Sequence, residues 1–385
     1  MGKRRVPKVL ITGGAGFIGI NAACRFLQEG WQVCVWDNLS RQGAESNLRW
    51  LQSFGPVHFS RIDVRQEKAV NEGFQRERYD LVIHCAGQVA VSTSLVHPRH
   101  DLENNVLGTF NLLEAVRQFC PETFFIFAST NKVYGNLESL ATVERNGRYE
   151  WADRSGGISE EQPLDFYSPY ACSKGAADQY VRDYSRIYGL ATVCFRQSCI
   201  YGYRQFGLED QGWVAWFLIA QALRRPITIF GDGKQTRDLL FIDDLINAYW
   251  KAWQKRDKTA GQVYNIGGGP QNQFSINQLI HWLKMECGAP VEINFAAPRQ
   301  GDQRVFVADV RKALADFAWR PSCSVKQGIQ KLHRWVNTHL ELIREMTVTP
   351  PPLLVENAPI LESMPFEAGC GSASPHFRPA ARPDV

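Results

Sequence analysis

The stretch KVLITGGAGFIG, residues 8–19, decides the fold of this chain. The apolar run VLI is typical of a short buried strand, and Gly13, Gly16 and Gly19 follow it at three-residue spacing. INAACRFLQEG then carries a helical pattern that ends at Gly30. Glycines between a strand and a helix let backbone N–H groups approach a pyrophosphate, and the helix N-terminus adds a favourable dipole. We therefore expect a dinucleotide site here.

Strands and helices alternate after this motif. The apolar stretches QVCVWDN, VHFSRIDVR, YDLVIHCAG, TFFIFAST and ATVCFRQSCIYG predict strands, and segments such as NNVLGTFNLLEAVRQFC predict the helices between them. Buried, β-branched strands that alternate with helices are typical of an α/β protein with a Rossmann-type, doubly wound parallel sheet.

The pattern divides the chain into two lobes and a tail. Residues 1–200 are predicted to form the NAD-binding Rossmann domain, to which 238–262 would return. The less regular stretches 201–237 and 263–345 predict a smaller C-terminal substrate-binding lobe. Residues 346–385 are rich in proline and small residues and have no sustained period, so we expect a disordered tail rather than a packed appendage.

Composition excludes several classes of function. The formal net charge is only +4 over 385 residues and no Lys/Arg block is present, so neither nucleic acid nor an anionic membrane is expected as a partner. Ten cysteines are scattered without zinc-ligand spacing, which predicts no metal site and suits reduced thiols. No apolar run is long enough for a signal peptide or a membrane span. A soluble, cytoplasmic protein is expected.

An acidic residue marks the adenosine end of the predicted cofactor site. Asp37 ends the second predicted strand, where a carboxylate accepts hydrogen bonds from ribose hydroxyls and repels a 2′-phosphate. This favours NAD over NADP, although Arg41 nearby leaves NADP open. Asp63 is placed to contact adenine, and CAGQVA to line the middle of the cofactor. The predicted cofactor set is Gly13, Gly16, Phe17, Ile18, Gly19, Asp37, Asn38, Ser40, Arg41, Asp63, Val64, Ala86, Gly87, Gln88, Asn105, Ser129, Tyr170 and Lys174.

Tyr170 and Lys174 lie four residues apart in DFYSPYACSKGAADQY, residues 165–180. Four residues are about one helical turn, so both side chains share a helix face, and taken alone they could be merely two polar residues on a helix. A tyrosine pKa near 10 is too high for a base at neutral pH, but a nearby ammonium and a positive nicotinamide ring favour the phenolate. Lys174 would also hydrogen-bond the nicotinamide ribose. Ser129 and Thr130 in ASTNKVYG supply a hydroxyl donor.

With these residues the chain resembles the extended short-chain dehydrogenase/reductases that act on nucleotide sugars, over about residues 8–340. The matching motifs are NNVLGT with Asn105, SPYACSK, GDGKQTRD, YNIGGG and DQRVFVADVRKA. The resemblance implies that Thr130 is the catalytic hydroxyl, with Ser129 as the alternate. It also implies that Arg237 binds the sugar-nucleotide diphosphate and that Arg304 is a second phosphate clamp, since guanidinium groups suit phosphate geometry.

Longer strings resemble one narrower group of this family, the epimerases that act at C2 of a CDP-linked dideoxyhexose. These strings are WDNLSRQGAESNLRWL, AGQVAVSTS, STNKVYG, CSKGAADQY, YRQFGLEDQGWVAWF and GDQRVFVADV. Ser198 also stands where 4-epimerases usually carry asparagine. The resemblance implies that Tyr170 removes the C2 hydroxyl proton while hydride passes to a tightly held NAD, and that Thr130 hydrogen-bonds the oxygen of a 2-keto intermediate. Hydride would return to the other face of the sugar, in a step of O-antigen or other polysaccharide biosynthesis.

A set of loop residues is expected to surround the sugar nucleotide. It comprises Gln88, Ser92, Thr93, Asn131, Lys132, Ser198, Arg204, Arg237, Arg299 and Arg304. Loop packing is the simpler alternative for some of them. The main rival activity is 4-epimerisation of a UDP- or CDP-hexose on the same scaffold, and the rival from another class is a catalytically silent NAD-binding module. A 4,6-dehydratase is disfavoured because STNK lacks the acidic pair that dehydratases carry after the threonine.

Two predicted helices, NNVLGTFNLLEAVRQ and GAADQYVRDYSRIYG, each carry an apolar stripe. In the family that the chain resembles, the equivalent helices pair across a two-fold axis. A homodimer, or a homotetramer, is therefore expected, with burial inside the monomer as the alternative.

Overall fold

The computed structural model describes residues 5–287, 291–299 and 301–348. Its strands are β1 (Lys8–Thr12), β2 (Gln32–Trp36), β3 (Val57–Ser60), β4 (Leu81–His84), β5 (Phe124–Thr130), β6 (Thr142–Arg145), β7 (Arg148–Trp151), β8 (Thr192–Gln197), β9 (Cys199–Tyr201), β10 (Ile227–Phe230), β11 (Thr236–Phe241), β12 (Gln262–Ile266), β13 (Gln273–Ser275), β14 (Ile293–Ala296) and β15 (Val305–Phe306).

The helices between these strands follow the predicted alternation. They are α1 (Phe17–Gln28), α2 (Ala44–Gln52), α3 (Glu67–Arg76), α4 (Val91–Val96), α5 (Pro98–Leu102), α6 (Gly108–Phe119), α7 (Pro169–Tyr188), α8 (Trp213–Ala222), α9 (Ile242–Gln254), α10 (Arg256–Thr259), α11 (Ile276–Cys287), α12 (Arg311–Phe317), α13 (Val325–Thr338) and α14 (Leu340–Val348). A π-helical turn, Glu103–Leu107, joins α5 to α6, and 3-10 turns lie at Asn131–Tyr134 and Pro270–Asn272.

The central sheet is parallel throughout and follows the order β12–β8–β5–β4–β1–β2–β3. From β1 the chain winds outward in both directions, with β2 and β3 on one side and β4, β5, β8 and β12 on the other. This arrangement confirms the predicted Rossmann-type, doubly wound fold. Because the winding reverses between β1 and β4, a crevice opens at the carboxyl ends of these strands, where such folds bind ligands.

Alternate residues of the central strands face opposite helix layers. Val9 and Ile11 of β1 belong to the core that contains α1, α2 and α9, whereas Leu10 belongs to the core that contains α3, α6 and α7. All three side chains are fully buried. Burial on both faces explains why these strands are continuous apolar runs rather than alternating ones.

A second group of strands builds the smaller lobe. β11 pairs with β13 antiparallel and with β15 and β9 parallel, while β10 and β14 form a separate parallel pair. The chain then leaves β11 through α9, which packs on the central sheet, and β12 becomes that sheet's edge strand. This course agrees with the expected return of 238–262 to the first lobe, and the domain boundaries themselves stay a prediction.

The last described helix extends into the segment expected to be a tail. α14 ends at Val348, so it includes residues 346–348, and the rest of 346–385 lies outside the described residues. Within the described part of the chain, no helix combines the length and apolarity that crossing a bilayer requires.

Candidate active site

The glycine turn after β1 is shaped by close backbone contacts. Gly13 has a φ of +64°, and its N–H donates to the Trp36 carbonyl at 2.8 Å. A Cβ atom on Gly13 would lie 2.6 Å from the amide nitrogen of Ala86, and one on Gly19 would lie 2.3 Å from the Gly13 carbonyl oxygen. Only glycine fits these positions. No side chain caps the N-terminus of α1, so its first N–H groups are available to an anion.

Asp37 ties this turn to the end of β2. Its carboxylate accepts from the Ala15 N–H at 3.0 Å and from the Leu39 N–H at 2.8 Å, and the residue is 9% exposed. Burial raises the pKa of the Asp37 carboxyl, and these backbone hydrogen bonds oppose the rise. A carboxylate has about four acceptor positions, so acceptor capacity remains for a ribose hydroxyl. The cradle of glycines and this carboxylate together fit the pyrophosphate and adenosine ribose of NAD.

Asp63 lies beside Asn38, just after the end of the neighbouring strand β3. The Asn38 amide donates to Asp63 at 3.0 Å, and the Arg65 guanidinium donates to the same carboxylate at 2.6 and 2.9 Å. These bonds lower the pKa of Asp63 to about 2 despite its partial burial. The Ser40 hydroxyl donates to Asn38 at 2.7 Å. The sequence prediction missed Arg65, although its position two residues after Asp63 is a usable signal.

The predicted catalytic residues meet at the carboxyl end of β5. Thr130 is the last residue of β5, and Tyr170 and Lys174 lie in the first two turns of α7. All three are buried, at 7%, 7% and 5% exposure, and the Thr130 hydroxyl lies beside that of Tyr170 and acts on its pKa. Lys174 Nζ donates to the Ala128 carbonyl at 2.6 Å and lies 4.1 Å from the centre of the Phe127 ring.

The electrostatics of this group are dominated by burial. Burial raises the pKa of Tyr170 to about 12, and the Thr130 hydrogen bond only partly opposes this. Burial lowers the pKa of Lys174 to about 8, opposed by Cys85 among other neighbours. With this pKa the tyrosine is a neutral phenol at neutral pH. A further positive charge nearby, such as an oxidised nicotinamide ring, would lower the pKa of Tyr170 toward neutral pH.

Ser129, the alternate hydroxyl, has a different partner. Its hydroxyl donates to Asp178 Oδ2 at 2.8 Å, and Asp178 is fully buried in an ion pair with Arg196 whose N–O distances are 2.9 and 3.0 Å. The structure thus brings Thr130, and not Ser129, into contact with the Tyr170 hydroxyl.

A buried network links the cofactor loop after β4 to the first turn of α7. Asn105, in the π-helical turn, accepts from the Gln88 N–H at 3.0 Å and donates to the Ser173 hydroxyl at 3.0 Å. Ser173 also hydrogen-bonds Asp101, and its hydroxyl contacts the Tyr170 carbonyl at 3.1 Å. Asp101 and Ser173 were not predicted. Asp101, an acid one helical turn before Asn105, carried a weak signal in the sequence.

Lys132 and Arg237 are brought together by Asp302. The Asp302 carboxylate accepts from Arg237 at 2.5 Å and from Lys132 Nζ at 3.5 Å. Burial lowers the pKa of Lys132 to about 8, opposed by Asp302. Asn131 donates to Gln303 Oε1 at 3.1 Å, so the STNK and GDQR segments are in contact. Neither Asp302 nor Gln303 was predicted as a site residue, because neither is adjacent to the STNK segment in sequence.

The other predicted substrate residues line the surrounding loops. Ser198 donates its hydroxyl to the buried Asp238, and Arg304 lies 5.0 Å from the centre of the Tyr149 ring, immediately before β15. Gln88 donates its side-chain amide to the Ala90 carbonyl at 2.7 Å, and Ser92, which precedes Thr93 in α4, donates its hydroxyl to Asp210 at 3.3 Å. Arg299 donates to the Glu209 carbonyl at 2.9 Å, and Arg41 donates to Gln211.

Arg204 is not brought to this group. Its guanidinium lies 4.2 Å from the centre of the Trp50 ring on α2, on the face of the central sheet opposite to α7. Its expected role in binding the sugar nucleotide therefore has no support from its position. The sequence placed it in a loop after a strand, but did not indicate the direction of its side chain.

Known proteins share this architecture. The model of the NAD dependent epimerase/dehydratase family matches residues 9–267. CDP-paratose 2-epimerase of Salmonella typhi is 46% identical over 86% of this chain and 99% of its own length. A putative UDP-glucose 4-epimerase of Methanocaldococcus jannaschii is 30% identical over the same shares. The crystal structure of Thermus thermophilus UDP-glucose 4-epimerase with NAD is similar at a TM-score of 0.73, with 31% identity over 86% of this chain and 99% of that one.

The chain belongs to the NAD-dependent epimerase/dehydratase family of extended short-chain dehydrogenase/reductases. It is an enzyme of the NAD-dependent epimerase type, and NAD is its cofactor. The alternative of a catalytically silent binding module is therefore set aside.

Proposed function

We propose that this enzyme epimerises a nucleotide sugar at C2, with CDP-paratose converted to CDP-tyvelose as the reaction. The observation that carries the proposal is the 46% identity to a CDP-paratose 2-epimerase, against 30–32% identity to the 4-epimerases found among its relatives. The contact between Thr130 and Tyr170 supports chemistry at a sugar hydroxyl. The same contact is compatible with 4-epimerisation, so it is the higher identity, over 86% of the chain, that favours epimerisation at C2.

The chain's own residues have distinct roles in this proposal. The glycine turn and Asp37 hold the pyrophosphate and adenosine ribose, and Lys174 holds the nicotinamide ribose. Bound NAD supplies the hydride acceptor and donor. Tyr170 takes the proton from the C2 hydroxyl oxygen and returns it at the end of the turnover. Thr130 donates a hydrogen bond to the same oxygen while it has carbonyl character.

Arg237 and Lys132 form the proposed diphosphate site, with Arg304 beside them. Guanidinium and ammonium groups bind phosphate oxygens strongly when partly buried. Asp302 accepts from both Arg237 and Lys132. An incoming diphosphate would therefore share or displace this carboxylate, and the sugar would extend from there toward Thr130 and Tyr170.

The decisive experiment follows the product of C2-deuterated CDP-paratose by NMR. Inversion at C2 with the deuterium retained supports the proposal, since the label leaves and returns within one site. Inversion at C4 of CDP- or UDP-glucose, with CDP-paratose unchanged, would replace it with 4-epimerisation. Tyr170→Phe is the control for the chemical step. It should lose at least about 10²-fold in kcat, in the range typical of a lost general base, while retaining bound NAD.

The assembly and location of the enzyme are part of the same proposal. A homodimer, or a dimer of such dimers, would form through α6 and α7, which expose Phe110, Tyr180, Ile187 and Tyr188. Exposed aromatic and aliphatic clusters of this kind are common at obligate interfaces. The enzyme would work in the cytoplasm, in a step of O-antigen or other polysaccharide biosynthesis.

A further inference from the structure

A cavity of about 520 Å³ lies on the face of the central sheet opposite to α7. We refer to it as the Arg204 cavity. Its walls come from α1, α2, the loop after β9, the start of α9 and the end of α13, and include Cys24, Trp50, Phe54, Tyr203, Arg204 and Trp335. None of these side chains contacts Thr130, Tyr170 or Lys174. Its volume is within the range of about 300–1,000 Å³ that small-molecule sites occupy.

Arg204 is an uncompensated cation in this cavity. The residue is only 6% exposed, and within residues 5–287, 291–299 and 301–348 no oxygen accepts a hydrogen bond from its guanidinium. Its contact is the face of Trp50, 4.2 Å away. Burial lowers the pKa of Arg204 to about 10. Leaving a buried charged donor without an acceptor is costly, so the arrangement calls for an anion.

The backbone holds Arg204 in this position. Its φ is +62°, a left-handed conformation that is uncommon for residues with a side chain and costs roughly 1 kcal/mol or more. Asn47 on α2 donates to the Arg204 carbonyl at 3.4 Å, and Asn21 on α1 donates to the Tyr203 carbonyl at 3.0 Å. The two helices therefore fix the loop that directs the guanidinium inward.

The other charged groups around the cavity are neutralised locally. Arg25 pairs with Glu29 at 2.7 Å, and Asp243 pairs with Lys331 at 3.3 Å. Arg204 thus carries the unbalanced charge of the wall. The rest of the lining is aromatic, with Trp50, Phe54, Tyr203 and Trp335 supplying ring faces and edges. A site with one cation and several aromatic rings suits a planar ligand with one acidic group.

We propose that the Arg204 cavity is a second ligand site that binds a small aromatic anion. The acidic group of the ligand accepts hydrogen bonds from the Arg204 guanidinium, and its ring packs against Trp50, Phe54 and Trp335. The site is separate from the proposed diphosphate site and goes beyond the proposed epimerase activity.

Titration calorimetry of the full chain tests this inference with three matched probes. These are 4-hydroxybenzoate, the neutral 4-hydroxybenzyl alcohol, and inorganic phosphate, which has charge but no ring. We expect saturable 1:1 binding of 4-hydroxybenzoate, at least about tenfold tighter than that of either other probe, as a charge-assisted hydrogen bond allows. Arg204→Gln should weaken this binding at least about tenfold, whereas Arg237→Gln, at the proposed diphosphate site, should not change it.

Absence of saturable 4-hydroxybenzoate binding overturns the proposal, as does equal binding of all three probes or undiminished binding by a folded Arg204→Gln. If Arg204→Gln does not fold, Phe54→Ala carries the test. Phe54 is 56% exposed, so its truncation removes a wall of the cavity without disturbing the core. Undiminished binding by Phe54→Ala would equally exclude the site.

Discussion

Thr130 and Ser129 are adjacent hydroxyls with different environments, and the difference can be measured. Thr130 contacts the Tyr170 hydroxyl, whereas Ser129 donates to the buried Asp178. Thr130→Ala should reduce kcat by about 10²-fold or more, because the reacting oxygen loses a hydrogen-bond donor. Ser129→Ala should keep kcat within a few-fold but lower the free energy of unfolding by about 1 kcal/mol. Steady-state kinetics and urea unfolding of both variants check this, and the reverse pattern would make Ser129 the catalytic hydroxyl.

Lys174 should give the enzyme a characteristic pH dependence of stability. Its pKa is lowered to about 8 from an ordinary value of 10.5, so between these values the unfolded chain binds more protons than the folded one. The free energy of unfolding therefore rises with pH across this window, by at most about 1.4 kcal/mol per pH unit from this group. Lys174→Met, which keeps the side-chain length, should lack this contribution. Urea unfolding of NAD-free protein from pH 7.5 to 9.5 measures the difference, and parallel profiles for the two proteins would contradict it.

At the scale of elements, α7 is fixed at both its start and its middle. Ser94 accepts from the Tyr170 N–H at 3.1 Å, and the Ser168 side chain caps the helix by accepting from the Ala171 N–H at 3.0 Å. Two turns later, Asp178 pairs with Arg196 of β8, with both side chains almost fully excluded from solvent. These contacts hold the tyrosine–lysine face against the end of β5.

Removal of one partner of the Asp178–Arg196 pair should strongly lower the free energy of unfolding. Arg196→Met leaves a buried carboxylate without its cation and should lower the free energy of unfolding by about 3–5 kcal/mol. Adding Asp178→Asn should restore part of the loss, because the amide oxygen can still accept from Ser129. Arg76→Ala, which breaks an exposed pair with Glu72 at 3.2 Å, is the control and should cost no more than about 0.5 kcal/mol. If Arg196→Met and Arg76→Ala lowered the free energy of unfolding equally, the buried Asp178–Arg196 pair would have no special role in stability.

The fold, the glycine turn and the tyrosine–lysine pair were predictable from the sequence, because each is encoded by residues that lie close together in the chain. The glycine turn, Asp37 at a strand end, and the pair Tyr170 and Lys174 are each set by a single strand–helix unit. Asp302 was not predictable, because its bonds to Lys132 and Arg237 join segments that are distant in sequence. Arg204 was predicted from its motif, but its left-handed backbone directs the side chain to the other face of the sheet.

At the scale of the whole molecule, the exposed faces of α6 and α7 are the proposed dimer interface. Ile187 and Tyr188 are 66% and 52% exposed at the end of α7. Ile187→Asp should shift the enzyme from dimer to monomer at micromolar concentration, because a charge would enter an apolar interface. Met285→Glu, which changes a comparably exposed residue on α11, is the matched control and should leave the mass unchanged. Sedimentation velocity measures both, and a wild-type monomer would contradict the proposed dimer.

Asp302 gives the enzyme an anion of its own at the proposed diphosphate site. Because this carboxylate is covalently attached, it competes with every ligand at a constant effective concentration, whatever the composition of the cell. Free phosphate and other abundant small anions gain little by replacing it, whereas a ligand that also reaches Tyr170 and the neighbouring loops gains enough contacts to do so. If the proposed diphosphate site is correct, competition from Asp302 would favour whole sugar nucleotides over their fragments and would lower the affinity for the correct substrate somewhat.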